Sequence, residues 1–137
     1  MSDLPASGEI AIKAESDIVT ARRAVREAAT QSGFAPTDIT RIVTAASELA
    51  RNIFKYAGEG VMRWQAIDGT NRVGLELQFI DHGPGIPDIN LAMEGGYSTG
   101  GGLGLGLPGA KRLADELEVQ TAAGQGTTVT LRKWRRR

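Results

Sequence analysis

The order in which two hydrophobic periods follow each other constrains the fold more than any other feature of the sequence. Apolar and polar residues alternate over residues 9–14, which predicts a half-buried strand. Apolar residues then recur three and four positions apart in two successive segments, which predicts two neighbouring helices. The first helix is predicted to be capped by Ser16 and to end at Gly33, and the second spans residues 36–58.

After the second helix the strand period returns four times. These segments predict two hairpins, 61–67 with 72–80 around the turn 68–71, and 118–122 with 127–134 around the turn 123–126. Between the hairpins we predict a helix from Leu103 to about Glu116, and segment 88–94 suits a further short helix. Because helices and strands are grouped rather than strictly alternating, the order favours an α/β fold. We expect a two-layer sandwich in which a mixed, mainly antiparallel sheet carries helices on one face.

Length and composition suit a single domain. The 137 residues, 41% of them hydrophobic, are interpreted as one domain over residues 1–137 with short flexible ends at 1–8 and 135–137. The absence of cysteine excludes disulfides, thiolate metal sites and cysteine nucleophiles. No apolar run approaches the ~18 residues that a membrane span needs. We therefore expect a cytoplasmic protein with no membrane partner.

The charges of the chain balance, but unevenly. Lys and Arg number 16, as do Asp and Glu, and the zero net charge argues against a nucleic-acid binder driven by bulk charge. Residues 132–137 hold five of the basic residues, which leaves 11 basic against 16 acidic residues in 1–131. Residues 135–137 are interpreted as a solvated end, with docking of an acidic partner as the alternative.

The second predicted helix carries polar residues on the side opposite its apolar stripe. Glu48 and Asn52 are one turn apart, so a carboxylate and an amide oxygen could together reach a divalent ion and a hydroxyl beside it. Lys55 on the same side would add positive charge for a phosphate, and Ala45 lies among these polar residues. The alternative is the ordinary solvated face of an amphipathic helix.

Glycine is concentrated between Gly83 and Gly109. The segment 104–109 matches G-x-G-x-x-G, but no strand precedes it and no acidic residue follows about 20 positions on, as a dinucleotide fold requires. No Gly-Lys pair is present, which excludes a Walker A loop. What remains is a glycine-rich lead into a helix N-terminus, a site that favours an anion such as a triphosphate, with a flexible linker as the alternative.

Asp81 is predicted at the end of a hydrophobic strand, beside tight glycine turns. Its carboxylate could accept a hydrogen bond from an exocyclic amine such as that of adenine, or it could cap the loop as an Asx-turn acceptor. His82, the only histidine, is interpreted as a loop residue rather than a ligand or phosphoacceptor.

Four motifs in this order resemble the N, G1 and G2 boxes and the closing threonine of the GHKL ATPase superfamily. They are Glu48-Leu-Ala-Arg-Asn52, Asp81-His-Gly83-Pro-Gly85-Ile86, Gly102-Leu-Gly104-Leu-Gly106-Leu107 and Gly126-Thr127-Thr128. Further segments look like the RsbT-type serine/threonine switch kinases and their anti-sigma-factor relatives, namely 88–89, 96–99, 106–113, 115–118 and 132–134. The resemblance implies the Bergerat fold with ATP and Mg²⁺ as cofactors.

The same resemblance implies the activity and the partners. Such proteins phosphorylate a serine or threonine of a STAS-domain antagonist and can activate a metal-dependent phosphatase. The alternative is an ATP-binding anti-sigma factor that sequesters a sigma factor, with nucleotide occupancy as the switch. A homodimer stays open, and no nucleic acid is implied as a partner.

Roles for individual residues also follow from the resemblance. Glu48 would orient or deprotonate the attacking hydroxyl, Asn52 would hold Mg²⁺, and Lys55 would lie near the phosphates. Asp81 would bind the adenine amine, with Thr127 supporting it through a water or hydroxyl contact. The remaining nucleotide-binding residues are those that shape the adenine pocket, Gly83, Gly85 and Ile86, and those of the lid and phosphate cradle, Gly100, Gly101, Gly102, Leu103, Gly104, Leu105 and Gly106.

Overall fold

The residues that the structure describes form five strands, three α-helices and one π-helical turn. A computed structural model describes residues 7–85, 107–122 and 124–136. In chain order the elements are β1 (Gly8–Ile12), α1 (Glu15–Gln31), α2 (Pro36–Asn52), a π-helical turn (Ile53–Ala57), β2 (Gly60–Gly69), β3 (Arg72–Asp81), α3 (Leu107–Leu113), β4 (Glu116–Ala122) and β5 (Gly126–Arg136). The short helix predicted at 88–94 lies outside the described residues.

The strands form one sheet in the order β1-β2-β3-β5-β4, and every neighbouring pair is antiparallel. Directly opposed residues of antiparallel strands point to the same face. One face therefore carries the buried Met62, Phe79 and Val129 in a row, while the other face carries Arg63, Gln78 and other polar residues. The helices cover the apolar face, so the expected two-layer α/β sandwich is confirmed.

The core lies between this apolar face and the helices. α2 packs against α1, α3 and β3, which places it at the centre of the helical layer. The core consists of apolar side chains from every helix and from four strands, among them Ile12, Val25, Ile42, Leu49, Leu75, Leu77, Phe79, Leu107 and Leu131. Among the described residues, no helix is both long and apolar enough to span a bilayer.

The start of α1 differs from the prediction. Ser16 is not the cap, because the helix begins at Glu15 and Asp17 provides the capping side chain. The Asp17 Oδ2 atom accepts hydrogen bonds from the backbone N–H groups of Lys13 (2.9 Å) and Ala14 (3.0 Å). Lys13 and Ala14 are therefore not part of the strand that was predicted over residues 9–14, and β1 ends at Ile12.

Both hairpins are tighter than predicted. β2 and β3 pair as far as Gly69 and Arg72, so the turn is Thr70-Asn71 rather than the four residues 68–71, with Asn71 at φ 56°. Gly126 likewise belongs to β5 and pairs with Ala122, so the second turn loses one residue. These two changes set the side-chain register at each end of the sheet.

The last helix ends earlier than the predicted Glu116. α3 stops at Leu113, because the next residues bind β5: the Asp115 N–H donates to the Arg132 carbonyl (3.0 Å), and Glu116 pairs with Arg132 in the sheet. The predicted start at Leu103 lies outside the described residues. β5 also continues to Arg136, and Arg135 Nε donates to the Ser32 carbonyl (2.6 Å), so Arg135 is a strand residue rather than part of a solvated end.

Candidate functional site

One end of the sheet brings together residues from four strands. Gly60, Asp81, Thr127 and Thr121 are consecutive cross-strand neighbours on β2, β3, β5 and β4. They continue the row pattern of the core face, so their side chains point toward the helical layer. Asp81 therefore lies at the helix-facing edge of the sheet, with the Thr127 side chain beside it.

Asp81 uses one carboxylate oxygen locally. The Gly83 N–H donates to Asp81 Oδ1 at 2.8 Å, which is the Asx-turn contact. A carboxylate has two oxygens with about four acceptor positions. The turn and a hydrogen bond to a ligand amine are therefore compatible, because Oδ2 makes no hydrogen bond to another residue of the described ranges.

The hydroxyl groups of Thr121 and Thr127 lie together beside Asp81. Thr121 Oγ1 donates to the Gly126 carbonyl at 3.1 Å. The two hydroxyl oxygens are 2.9 Å apart, a contact in which either can be the donor. A hydroxyl group has two lone pairs besides its proton, so Thr127 can still accept a hydrogen bond. A water molecule, which donates twice, can therefore join Asp81 and Thr127.

The end of α2 approaches this edge of the sheet through small residues. Gly60 lies between the two elements: a Cβ there would be 2.7 Å from Ile53 Cγ2 and 3.3 Å from Asp81 Cβ. A Cβ on Gly83 would similarly be 2.7 Å from the Ala57 Cβ. The glycines allow the π-helical turn to contact the strand end, which places the C-terminal end of α2 next to Asp81.

The loop after β3 is held from its other side as well. Gly85 has φ 79°, and a Cβ there would collide with the Ala122 carbonyl at the end of β4. The Gly124 N–H also donates to the Pro84 carbonyl (2.9 Å). Residues 83–85 are therefore fixed between the π-helical turn and the β4–β5 turn, and the backbone there requires glycine.

The predicted polar residues of α2 lie near this edge but differ in exposure. Glu48 is 46% exposed and its Oε1 atom is 3.2 Å from Arg51 Nη1. Asn52 is half-buried and takes part in interactions within the fold. Lys55 is exposed, with Nζ 5.7 Å from the Tyr56 ring centroid. Because Lys55 lies in the π-helical turn, which has more residues per turn than an α-helix, it departs from the regular spacing with Glu48.

Ala45 shows that this side of α2 is not uniformly solvated. Although it falls among the polar residues in sequence, it is 0% exposed, and Ser47 is 8% exposed. α3 packs against α2 and begins with the buried Leu107, directly after the glycine-rich segment. The chain therefore returns to α2 at the point where the predicted phosphate loop ends.

Several predicted site residues lie outside the described residues, namely Ile86, Gly100, Gly101, Gly102, Leu103, Gly104, Leu105 and Gly106. The structure assembles the others from separate parts of the chain: Glu48, Asn52 and Lys55 on α2 and its continuation, and Asp81, Gly83, Gly85 and Thr127 at the sheet edge. The described residues hold no group of three or more His, Cys, Asp or Glu arranged for a metal ion.

Thr121 is the site residue that the sequence prediction missed. A four-residue turn would have placed Thr128 opposite it, on the other face of the sheet from Thr127. The observed three-residue turn pairs Thr121 with Thr127 instead. The signal for the shorter turn was Gly126, the second glycine of the predicted turn. It has φ 89°, and a Cβ there would collide with the Asp81 carbonyl, so Gly126 is already a strand residue that lies against the Asp81 backbone.

Sequence comparisons show which known proteins the chain is similar to. Residues 11–133 match the histidine kinase-like ATPase domain. The chain is 49% identical over 127 residues to the serine/threonine-protein kinase RsbT of Bacillus subtilis, covering 93% of this chain and 96% of that protein. It is 32% identical over 140 residues to the anti-sigma F factor of Clostridium beijerinckii, covering 97% and 96%. It is 33% identical to the anti-sigma F factor of Thermoanaerobacter sp., covering 71% of each.

Proposed function

Because the chain belongs to the histidine kinase-like ATPase domain family, we propose that it is an ATP- and Mg²⁺-dependent protein-serine/threonine kinase. Its substrate would be a STAS-domain antagonist protein, and the protein would act as a cytoplasmic partner-switching regulator that also activates a metal-dependent phosphatase. The observation that carries the proposal is that two groups of candidate site residues lie next to each other. Asp81 and Thr127 at the sheet edge lie beside the end of the helix that carries Glu48 and Asn52.

The sheet edge would bind the adenine. Asp81 Oδ2 accepts a hydrogen bond from the exocyclic amine, while Oδ1 keeps the loop in place through the Gly83 N–H. A water molecule held between Asp81 and Thr127 completes the set, because both side chains offer lone pairs there. Gly83 and Gly85 would shape this pocket, and the resemblance assigns Ile86 to it as well.

The end of α2 would bind the phosphates. The Asn52 side-chain oxygen is a hard ligand of the kind Mg²⁺ prefers, and Mg²⁺ is commonly held by one or two protein oxygens with phosphate and water completing the shell. The donor set therefore fits the ion, which supplies charge neutralisation when bound. Lys55 would add positive charge near the phosphates, and the phosphate cradle is assigned to segment 100–106 by the resemblance alone.

Glu48 would act on the attacking hydroxyl. The carboxylate is half-exposed, so a serine or threonine of another protein can reach it. The proton of the substrate hydroxyl would pass to Glu48 while the hydroxyl oxygen bonds to the γ-phosphorus. The bond between the γ-phosphorus and the bridging β,γ-oxygen would break, which releases ADP. Arg51 restrains the carboxylate from the next turn of the helix. Such transfer depends mainly on positioning and charge neutralisation rather than on a covalent intermediate.

The kinase proposal is tested by replacing Glu48. We expect Glu48→Ala to abolish transfer of labelled phosphate from ATP to a purified STAS-domain protein, while ATP binding measured by calorimetry is largely kept. Glu118→Ala is the matched control, because Glu118 is also an exposed carboxylate beside an arginine but lies on the open face of the sheet. Unchanged transfer by Glu48→Ala would contradict the kinase assignment.

The metal role of Asn52 has its own test. Asn52→Ala should weaken binding of ATP in the presence of Mg²⁺ and have a smaller effect in EDTA, because the lost oxygen is a metal ligand. Calorimetric titration with and without the metal measures both values. Equal loss in the two conditions would assign Asn52 to direct contact with the nucleotide.

A second function is favoured by the anti-sigma F factors among the relatives. In that case the protein would hold a sigma factor in an ATP-dependent manner, and catalysis would be secondary. The two functions separate in one experiment with both candidate partners present. Label on the STAS-domain protein supports the kinase, and nucleotide-dependent retention of the sigma factor without label supports the alternative.

A further inference from the structure

The helix-facing side of the sheet changes from apolar to polar at the end that carries Asp81. One row of cross-strand neighbours on β4 and β5 consists of Val119 and Val129. In the next row the equivalent positions are Thr121 and Thr127, beside Asp81 on β3. An apolar side chain stabilises a position that faces the core more than a hydroxyl group does. Packing of the sheet on the helices therefore does not explain why both positions carry hydroxyl groups.

The Thr121 hydroxyl contacts two other parts of the chain. Its Oγ1 atom donates to the Gly126 carbonyl at 3.1 Å and lies 2.9 Å from Thr127 Oγ1, and both of these residues belong to β5. A Cβ on Gly85 would be 3.2 Å from the same oxygen. Thr121 thus lies between the start of β5 and the loop that follows β3.

The contact with Thr121 restricts the side chain of Thr127. Thr127 is 9% exposed, so its hydroxyl group needs a partner within the fold, and Thr121 supplies one. A threonine side chain has three staggered rotamers, and this hydrogen bond favours the rotamer that places Oγ1 beside Thr121. In that rotamer Thr127 can still accept a hydrogen bond from a water molecule that also donates to Asp81.

We propose that Thr121 is a positioning residue of the adenine site, which acts through Thr127 rather than on the nucleotide itself. By holding Thr127 in one rotamer, Thr121 keeps an acceptor in place for the water beside Asp81 and so strengthens the preference for adenine over other bases. This inference rests on the proposed binding of ATP at Asp81. Because Thr121 lies at the sheet edge, it affects nucleotide affinity and not the transfer step at Glu48.

The experiment is calorimetric titration of the whole protein with ATP and with GTP, each with Mg²⁺. Guanine carries a carbonyl oxygen where adenine has its amine. Thr121→Val removes the hydroxyl group and keeps the shape of the side chain, and we expect the Kd for ATP to rise about fivefold while the Kd for GTP stays the same. Thr121→Ser restores the hydroxyl group and should bind ATP like the unmodified protein. In the kinase assay, Thr121→Val should raise the KM for ATP and leave kcat unchanged.

Thr130→Val is the matched control. Thr130 is 7% exposed and its hydroxyl group accepts a cross-strand hydrogen bond from Gln78 Nε2 (3.4 Å), but it lies on the open face of the sheet, away from Asp81. This variant should bind both nucleotides like the unmodified protein.

Four results would overturn the positioning role and leave the proposed nucleotide binding in place. They are unchanged ATP affinity in Thr121→Val, equal losses for ATP and GTP, no rescue by Thr121→Ser, and an equal loss of ATP affinity in Thr130→Val. If the unmodified protein binds no ATP, the proposed function fails, and the positioning role fails with it. Titration of the unmodified protein therefore separates the two failures.

Discussion

At the scale of single residues, a conservative substitution of Asp81 can separate its observed role in the turn from its proposed role in adenine binding. An asparagine can still accept the Gly83 N–H through Oδ1, but its amide nitrogen would meet the adenine amine donor to donor. We expect Asp81→Asn to keep the unfolding temperature nearly unchanged and to weaken ATP binding about tenfold or more, since a hydrogen bond to a charged group contributes about 1.5–3 kcal/mol. Calorimetric titration and thermal unfolding measure the two effects. Loss of stability with intact binding would leave only the turn role.

Also at this scale, the sequence predicted some neighbouring residues correctly. It predicted the individual contacts of these residues less well. The predicted contact between Thr127 and Asp81 depends on register, and the structure shows them as direct neighbours. The pairing of Thr127 with Thr121 was missed, because it depends on a turn one residue shorter than expected. The spacing of Lys55 also could not be derived from a regular helix, since α2 continues into a π-helical turn.

At the scale of elements, the capping role at the N-terminus of α1 belongs to Asp17 and not to the predicted Ser16. Asp17 accepts two backbone hydrogen bonds, whereas the side chain of Ser16 is not the cap. We expect Asp17→Ala to lower the free energy of unfolding by about 1 kcal/mol and Ser16→Ala to leave it nearly unchanged. Urea unfolding measures both. A larger loss for Ser16→Ala than for Asp17→Ala would instead support Ser16, the cap predicted from the sequence.

The junction of β4 and β5 predicts a pH dependence. The indole N–H of Trp134 donates to Glu116 Oε2 (2.6 Å) and, with Arg132, holds the pKa of Glu116 below its ordinary value of 4.5. A carboxyl group with a lowered pKa in the folded state contributes stability above pH 4.5, and this contribution is lost as the pH falls through the folded-state pKa.

The substitution Trp134→Phe removes the donor and keeps an aromatic ring beneath Arg72. Its destabilisation should be larger at about pH 7 than at about pH 3, by urea unfolding at each pH. In a Glu116→Gln background the pH dependence of this difference should disappear. If the pH dependence persists in the Glu116→Gln background, the effect comes from ring packing and not from the hydrogen bond.

At the scale of the whole molecule, Lys133 joins three parts of the fold. Its side chain is 12% exposed, and Nζ lies 3.8 Å from Asp38 Oδ1 at the start of α2 and 3.5 Å from Asp115 Oδ1 after α3. We expect Lys133→Met to cost about 1 kcal/mol, because the largely buried ammonium group pairs with the half-buried Asp38 and the exposed Asp115. Arg41→Met, which removes the exposed pair to the same Asp38, should cost less than about 0.5 kcal/mol. Equal losses in urea unfolding would contradict the joining role.

The two-layer architecture was predictable from the sequence because hydrophobic period and order decide which elements form. The segments that differ are those where tertiary contacts replace local rules. α3 ends early because Asp115 and Glu116 bind β5, and β1 ends early because Asp17 takes its backbone donors. Arg135 joins the fold through the Ser32 carbonyl, a contact between residues about a hundred positions apart that no local pattern reveals.

The central pairing of β3 with β5 also bears on the stage of folding at which a ligand can bind. Asp81 becomes the neighbour of Thr127 only when the last strand pairs with β3, so we expect the proposed adenine pocket to be completed late in folding. A nucleotide should therefore slow unfolding and leave the refolding rate unchanged, because it stabilises contacts that the transition state lacks. Stopped-flow unfolding and stopped-flow refolding, each with and without ATP, measure the two rates, and faster refolding with ATP would show that the pocket forms early.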